Sequence, residues 1–384
     1  MRIKFGELRL GEIARKNMDK IFQTNWASAG PLVEEFEQKW SEKFNFKHSI
    51  SMSSGTDADI NCCLSLYDLG SKRGDEIICP ALTFIATANS ILMAGFTPKF
   101  VDIDVNTINI DHTLIEKAIT EKTRAIMVTH TMGRPCEMDY IMDLAKKYNL
   151  YVYEDSCESA GALYKDKYIW GHISTCSFYT AHMVVCGEGG MCATNHDDLN
   201  YLLRSTKSHG RKPGTIYFDF LRIGVNSKMN DLEAAVGLEG LHNFDDSMTK
   251  RVHNRQVLLD LLSDLTDYFI LPDLSRKDIF VSPHAFPLIL KKDNEDLNKK
   301  FYKYMEDNGI QTKTLFGCIP TQHKAYEFMN YKLGDFPNAE YVGRNGLHFG
   351  IHQYLKEEDL HFISEVIHKF WEVDGREKMV ANIS

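Results

Sequence analysis

The sequence predicts an α/β protein: a mostly parallel sheet covered by helices, followed by a smaller α+β part. Three observations carry this expectation. Short apolar runs alternate with helix-like stretches from about residue 48 to 195. After Asn230 a long stretch places apolar residues at three- and four-residue steps. From about residue 270 short strand-like and helix-like pieces mix. The expected division is residues 1–245 for a large α/β domain and 246–384 for a small C-terminal α+β domain.

The alternation is explicit. "HSISMS" precedes "GTDADINCCLSLY", and "DEIICP" precedes "TFIATANSILMAG". "PKFVDID" precedes "HTLIEKAIT", "RAIMVTH" precedes "EMDYIMDLAKKYN", and "LYVYED" follows. Strand, turn and helix in repetition imply parallel strands buried on both faces. Pro80, Pro98 and Gly95 punctuate the pattern. "SFYTAHMVVCGEGG" reads as a further strand running into a glycine-rich stop, with His182 near the strand's end. The stretch "DLEAAVGLEGLHNFDDSMTKRVHNRQVLLDLLSDL" reads as long helix. "HAFPLILKK", "DLNKKFYKYMEDNG" and "EEDLHFISEVIHKFWE" outline the small domain, and "EVDGREKMVANIS" reads as a loosely held tail.

The 384 residues carry a net charge of −9, which disfavours nucleic acid and anionic membrane as partners. The N-terminus lacks a signal-peptide core, and no stretch approaches a membrane span. The nine cysteines are odd in number and mostly lie in apolar segments, as buried thiols of a cytoplasmic protein do. No CxxC or CxC pair is present, so no metal or cluster site of closely spaced cysteines is expected.

In an open α/β sheet, ligands bind beyond the carboxyl ends of the strands. "MSSGTDAD" follows one strand and opens a helix, as either a phosphate cradle or a plain N-cap with Thr56 as the cap. Asp155 ends an apolar strand and needs a cation there: a protonated pyridine nitrogen, or an arginine. Phe84 in "PALTFIATANS" is either a core aromatic, which its spacing favours, or a flat surface for a ring.

Together "SSGTDA", "DEIICPALTFIATANSILMAGFTPKFVDID", "YEDSCESAGA", "SFY", "GEGGM" and "GVNSKMNDLEAAVGLEGL" resemble the DegT/DnrJ/EryC1/StrS sugar aminotransferases, a fold-type I pyridoxal-phosphate family. The resemblance spans roughly residues 5 to 370. It implies a seven-stranded sheet, a cytoplasmic homodimer with shared active sites, and a nucleotide-linked 4-keto-6-deoxy sugar as substrate. It also implies roles. Gly55 and Thr56 hold the cofactor phosphate, with the Ser177 hydroxyl. Asp155 pairs with the pyridinium nitrogen and keeps the ring an electron sink. Phe84 stacks on the ring. Glu158 stands where most transaminating members have glutamine, beside the ring hydroxyl. Asn226 reaches across the dimer to the neighbour's phosphate.

One departure stands out. Members that transaminate read Ser-Phe-x-x-x-Lys, and that lysine anchors the cofactor and shuttles protons. Counting from Ser177 gives His182, and no lysine lies between Lys167 and Arg204. Imidazole moves protons but forms no stable Schiff base. The change resembles the 3-dehydratase branch, which makes 3,6-dideoxy sugars from pyridoxamine phosphate. In that branch the cofactor's amine joins the C4 ketone, the histidine takes a proton from the cofactor's methylene, and the C3 hydroxyl leaves as water. His209 in "KSHGRKP" matches a histidine near the sugar of the GDP-linked enzyme; it is a second acid, or a helix-terminal residue. The CDP-linked enzymes carry an iron–sulfur cluster, but "TIYFDFLRIGVN" has no cysteine, which points to glutamate as amino donor with release of ammonia. "QTKTLFGCIPTQHKAY" is closer to the CDP-linked enzymes, so the nucleotide stays open.

Two rival readings differ in outcome. A 4-aminotransferase using His182 as base retains nitrogen in its product. A cofactor- or sugar-binding regulator would carry a DNA-binding domain, and the helix at Gly11 to Phe22 is too short and unpartnered to be one.

Overall fold

The computed structural model describes residues 1–168 and 170–372. The expected loose tail falls, from residue 373 on, outside the described residues. Two helices open the chain, α1 (Glu12–Thr24) and α2 (Pro31–Phe44). Strand–helix units follow: β1 (His48–Met52) with α3 (Gly55–Ser65), and β2 (Glu76–Pro80) with α4 (Ile85–Met93). The next are β3 (Thr97–Val101) with α5 (His112–Ala118), and β4 (Thr123–Thr129) with α6 (Met138–Tyr148). β5 (Tyr151–Asp155) leads to a short β6 (Leu163–Tyr164), then β7 (Ile173–Ser177) and β8 (Gly190–Thr194).

These strands, β6 excepted, form a 7-stranded sheet in the order β1-β8-β7-β5-β4-β2-β3. Only β8 runs against its neighbours, β1 and β7. β2 and β4 are buried almost throughout, as strands with both faces covered must be. All the eight cysteines besides Cys157 are buried.

α7 (Asp197–Thr206) follows β8. The helical stretch after Asn230 divides into α8 (Asp231–His242) and α9 (Phe244–Leu261) rather than running as one helix. Asn243 interrupts it and donates its amide to Glu239 Oε1 at 3.1 Å. Asn230 and Glu233 form a capping box at the start of α8.

Toward the C-terminus, β9 (Phe269–Ile270), β10 (Ile279–Phe280) and β11 (Ala285–Leu290) precede α10 (Glu295–Asp307). β12 (Thr312–Thr314) and β13 (Gly346–Gly350) complete a four-stranded antiparallel sheet in the order β12-β13-β11-β9. α10 and the helix Glu357–Phe370 bury Phe301, Met305, Ile363 and Ile367 in the core of this part. Ile3 joins that core, so the first residues of the chain pack with the last elements. Ala285, Ile289, Leu315 and Val342 instead pack into the core of the large sheet.

Candidate active site

β1 ends at Met52, and Ser54 turns the chain into α3. Its hydroxyl accepts from the Asp57 amide at 3.0 Å, so Ser54, not Thr56, is the N-cap. That leaves the Gly55 and Thr56 amides as free donors of the first turn. A Cβ on Gly55 would lie 2.7 Å from Ser177 Cβ. Only glycine lets the helix start and the end of β7 approach this closely. Free amides beside a hydroxyl at a helix N-terminus suit a phosphate.

Asp155 closes β5 and is 4% exposed. Its carboxylate accepts from the Thr87 hydroxyl at 2.8 Å and the Cys157 amide at 3.2 Å. Among the described residues no arginine or lysine pairs with it, so the arginine alternative finds no partner. Asp59, on α3, is equally buried and accepts from Thr175 at 2.7 Å. Burial and then the Asp155 charge push the Asp59 carboxyl well above the usual carboxylate range. A buried carboxylate with no cation is costly. A cationic group of a ligand would offset that cost.

Phe84 is 60% exposed, which overturns the core assignment that its spacing favours. It is the extended N-cap residue of α4, so its side chain leaves the chain before the helix turns onto the sheet. It stands 6.2 Å from the Phe316 ring and offers a free face for stacking. Glu158 Oε2 accepts from the Met132 amide at 2.7 Å, and Oε1 lies 3.6 Å from His284 Nε2. Burial, helped by the Asp155 charge and opposed by the Met132 amide and Lys313, pushes the Glu158 carboxyl up to about 7.

His182 is not on a strand. β7 stops at Ser177, and His182 sits in the loop that reverses the chain into antiparallel β8. The loop is pinned from two sides. Arg251 Nη2, on α9, donates to the His182 carbonyl at 3.0 Å. A Cβ on Gly6 would lie 2.7 Å from Ala181 Cα, so the N-terminal segment lies directly against the loop. His182 Nδ1 is buried without a hydrogen-bond partner. Burial, then the Arg251 and Lys313 charges, lower its pKa to about 3. The ring is therefore neutral at pH 7, the form that accepts a proton.

The same edge of the sheet thus collects Gly55, Thr56, Phe84, Asp155, Glu158, Ser177 and His182. The Ser227 carbonyl, next to Asn226, accepts from the Ser53 amide at 2.9 Å, but among the described residues no hydrogen bond or ion pair joins His209 or Asn226 to these side chains. Both are exposed, on adjoining segments: Ser208 and Asn226 form a bridge, and the His209 amide donates to Val225 at 2.9 Å. Asn226 Oδ1 accepts from Lys228 Nζ at 2.6 Å.

Sequence reasoning missed a second wall. His284, just before β11, lies 5.0 Å ring to ring from His182. Phe5 touches both His284, at 6.0 Å, and His348 of β13, at 5.1 Å. Lys313 of β12 lies over the Phe5 ring at 4.3 Å. These residues are far apart in the chain. The one available signal was the histidine in "HAF" and in "HFG", each within or beside an apolar strand pattern.

The model of the DegT/DnrJ/EryC1/StrS aminotransferase family matches residues 9–369. The chain belongs to that family. GDP-perosamine synthase of Caulobacter vibrioides is 32% identical to this family member over 365 residues, covering 94% of this chain and 95% of the relative. GDP-4-keto-6-deoxy-D-mannose 3-dehydratase of Yersinia pseudotuberculosis is 27% identical, over 92% of this chain and 94% of its own. Among solved structures, a GDP-4-keto-6-deoxymannose-3-dehydratase variant with bound GDP-perosamine superposes with a TM-score of 0.87 at 25% identity, covering 95% of this chain and all of its own. The relatives of this DegT/DnrJ/EryC1/StrS enzyme thus include both aminotransferases and 3-dehydratases. Its cofactor is pyridoxal phosphate, and the helix-start amides, the cation-free Asp155 and the exposed Phe84 fit that group. No helix among the described residues is long and apolar enough to cross a membrane.

Proposed function

We propose that this enzyme is a pyridoxamine-phosphate-dependent 3-dehydratase of a nucleotide-linked 4-keto-6-deoxy sugar, with glutamate as amino donor. The observation that carries the reading is His182: an imidazole stands at the family's lysine position, partly buried, neutral and with its buried Nδ1 unpartnered. When bound, the cofactor supplies the amine that joins the sugar and a ring that accepts electrons. Gly55, Thr56 and Ser177 hold its phosphate, Phe84 backs its ring, and Asp155 holds the proton on its ring nitrogen. Glu158 faces the ring hydroxyl.

His182 then does the proton work. It takes a proton at the cofactor methylene and returns one to the departing C3 oxygen of the sugar. Negative charge arriving with phosphate and substrate raises its pKa from the low value of the free chain. Because nothing delivers a proton to sugar C4, nitrogen leaves as ammonia after hydrolysis. The enzyme holds its cofactor without a covalent bond, since imidazole cannot replace the lysine amine.

A homodimer with shared sites completes the reading. Asn226 is exposed, as a residue that reaches the neighbour's cofactor phosphate must be, and His209, exposed beside it, is free to act as a second acid near the sugar. Beside them Ile216, Tyr217, Phe218 and Ile223 are each at least 74% exposed, an apolar surface that a second copy would cover.

A second reading has its own support: GDP-perosamine synthase, at 32% identity, outranks the dehydratase at 27%. A 4-aminotransferase using His182 as base would keep nitrogen in the sugar. The test is incubation with GDP-, CDP- and dTDP-linked 4-keto-6-deoxy sugars, pyridoxal phosphate and glutamate. Ammonia and a deoxy product without nitrogen support dehydration. 2-Oxoglutarate with an aminated sugar overturns it in favour of the second reading.

A further inference from the structure

The wall formed by Phe5, His284 and His348 carries one cation with no assigned task. Lys313 Nζ makes no ion pair or hydrogen bond among the described residues; it rests over the rings of Phe5, at 4.3 Å, and Tyr179, at 5.7 Å. The other cation of this wall, Arg251, is already engaged by the carbonyls of Ala181, His182, Pro283 and His284. Lys313 pairs directly across the sheet with His348. His348 is 3% exposed, and its Nδ1 has no partner.

Aromatic contacts run continuously from this pair to the reacting edge. His348 touches Phe316, which touches Phe84; Phe5 touches His284, which touches His182. We infer that Lys313 and His348 form the subsite for the carboxylate of the amino donor. An ammonium that feels the Glu158 carboxyl but makes no direct ion pair, and an imidazole nitrogen without a partner, make a two-point match to one carboxylate.

Position and charge choose this ligand over a phosphate. The phosphate corner is at Gly55 and Ser177, whereas Lys313 shares a wall with His182, beside the atoms that react. Burial holds His348, His284 and His182 neutral, so Lys313 is the one positive charge of this wall beyond the engaged arginine, with the Glu158 carboxyl as the acid that acts on it. One charge suits an amino acid carboxylate better than a diphosphate.

The inference rests on the pyridoxal-phosphate site and on an amino donor, which dehydration and transamination both consume. Its test separates the two half-reactions. Holoenzyme in the aldehyde form is titrated with L-glutamate, following the absorbance change of cofactor amination. Holoenzyme in the amine form is given the sugar nucleotide in a single turnover. A binding readout independent of turnover is calorimetric titration of 2-oxoglutarate. In K313M we expect half-saturation by glutamate and the 2-oxoglutarate Kd to rise roughly 10- to 100-fold. The sugar half-reaction stays within about threefold of the parent, and K313R recovers most of the glutamate affinity. Unchanged 2-oxoglutarate binding in a folded K313M, or equal loss of both half-reactions, would overturn the inference. Absence of dehydration in the parent enzyme, with glutamate affinity still dependent on Lys313, would overturn the proposed reaction and leave this subsite standing.

Discussion

The guanidinium of Arg251 donates to the main-chain carbonyl of His182 at 3.0 Å, from a side chain that is 2% exposed. The same group reaches Ala181 and His284 carbonyls at 3.3 Å and Gln353 Oε1 at 3.0 Å. One buried cation thus ties the proton-handling loop to the strand entry that carries His284. Burial pushes its pKa down to about 10, still far above neutrality, so the charge is present at pH 7. R251M keeps much of the volume and strands the carbonyls. It should cost about 2 to 4 kcal/mol in urea denaturation, with R251K intermediate. An unchanged unfolding midpoint would show that the carbonyls find other donors.

Exchanging the imidazole tests the anchor. H182K supplies the missing amine, and the cofactor should then survive denaturation and gel filtration after borohydride treatment, while the parent releases it. H182N removes the base and leaves the phosphate and ring contacts. Turnover should fall roughly 10²- to 10⁴-fold, with cofactor affinity changed only severalfold. A smaller loss of turnover would assign the proton transfer to another group, His284 being the nearest imidazole.

Asp155 and Asp59 form a buried acid pair that no cation among the described residues reaches. D155N keeps the hydrogen-bonding shape and removes the charge that, after burial, pushes the Asp59 carboxyl up. The cofactor-free chain should become more stable, by roughly 1 kcal/mol, while activity drops by two orders of magnitude or more. A D155N chain less stable than the parent would mean that Asp155 serves the fold rather than the ligand.

The histidine wall sets an acid limit. His182 and His348 titrate at about 3 and His352 at about 4 in the folded chain, each lowered mainly by burial. Unfolded, each returns to about 6.5. Between those values the unfolded chain binds more protons, so stability present above pH 6.5 is lost as pH falls toward 4. Each site contributes up to about 1.4 kcal/mol per pH unit. Glu158, pushed up to about 7, acts oppositely between its ordinary value and 7 and blunts the upper part of the slope. Urea midpoints of the cofactor-free chain from pH 7.5 to 4.5 should show the fall, and H348Q should flatten it. A slope unchanged in a folded H348Q would remove His348 from the set.

The parallel core was legible because strands such as β2 and β4 are buried on both faces and read as continuous apolar runs between turn residues. The break at Asn243 was not, since apolar spacing continues through it and only local backbone geometry interrupts the helix. Phe84 misled for a related reason: periodicity counts it with α4, but an N-cap residue points elsewhere than the helix face.

The order of residues alone determined the family, the cofactor and the absence of a lysine five places after Ser177, because these are local patterns carried by contiguous motifs. The fold decided what that imidazole is. Phe5, Arg251, His284, Lys313 and His348 come from distant segments and meet only when the antiparallel sheet closes against the parallel one. Burial and neighbouring charge then set the proton affinity of His182, and both are properties of a packed interior, which no linear spacing contains.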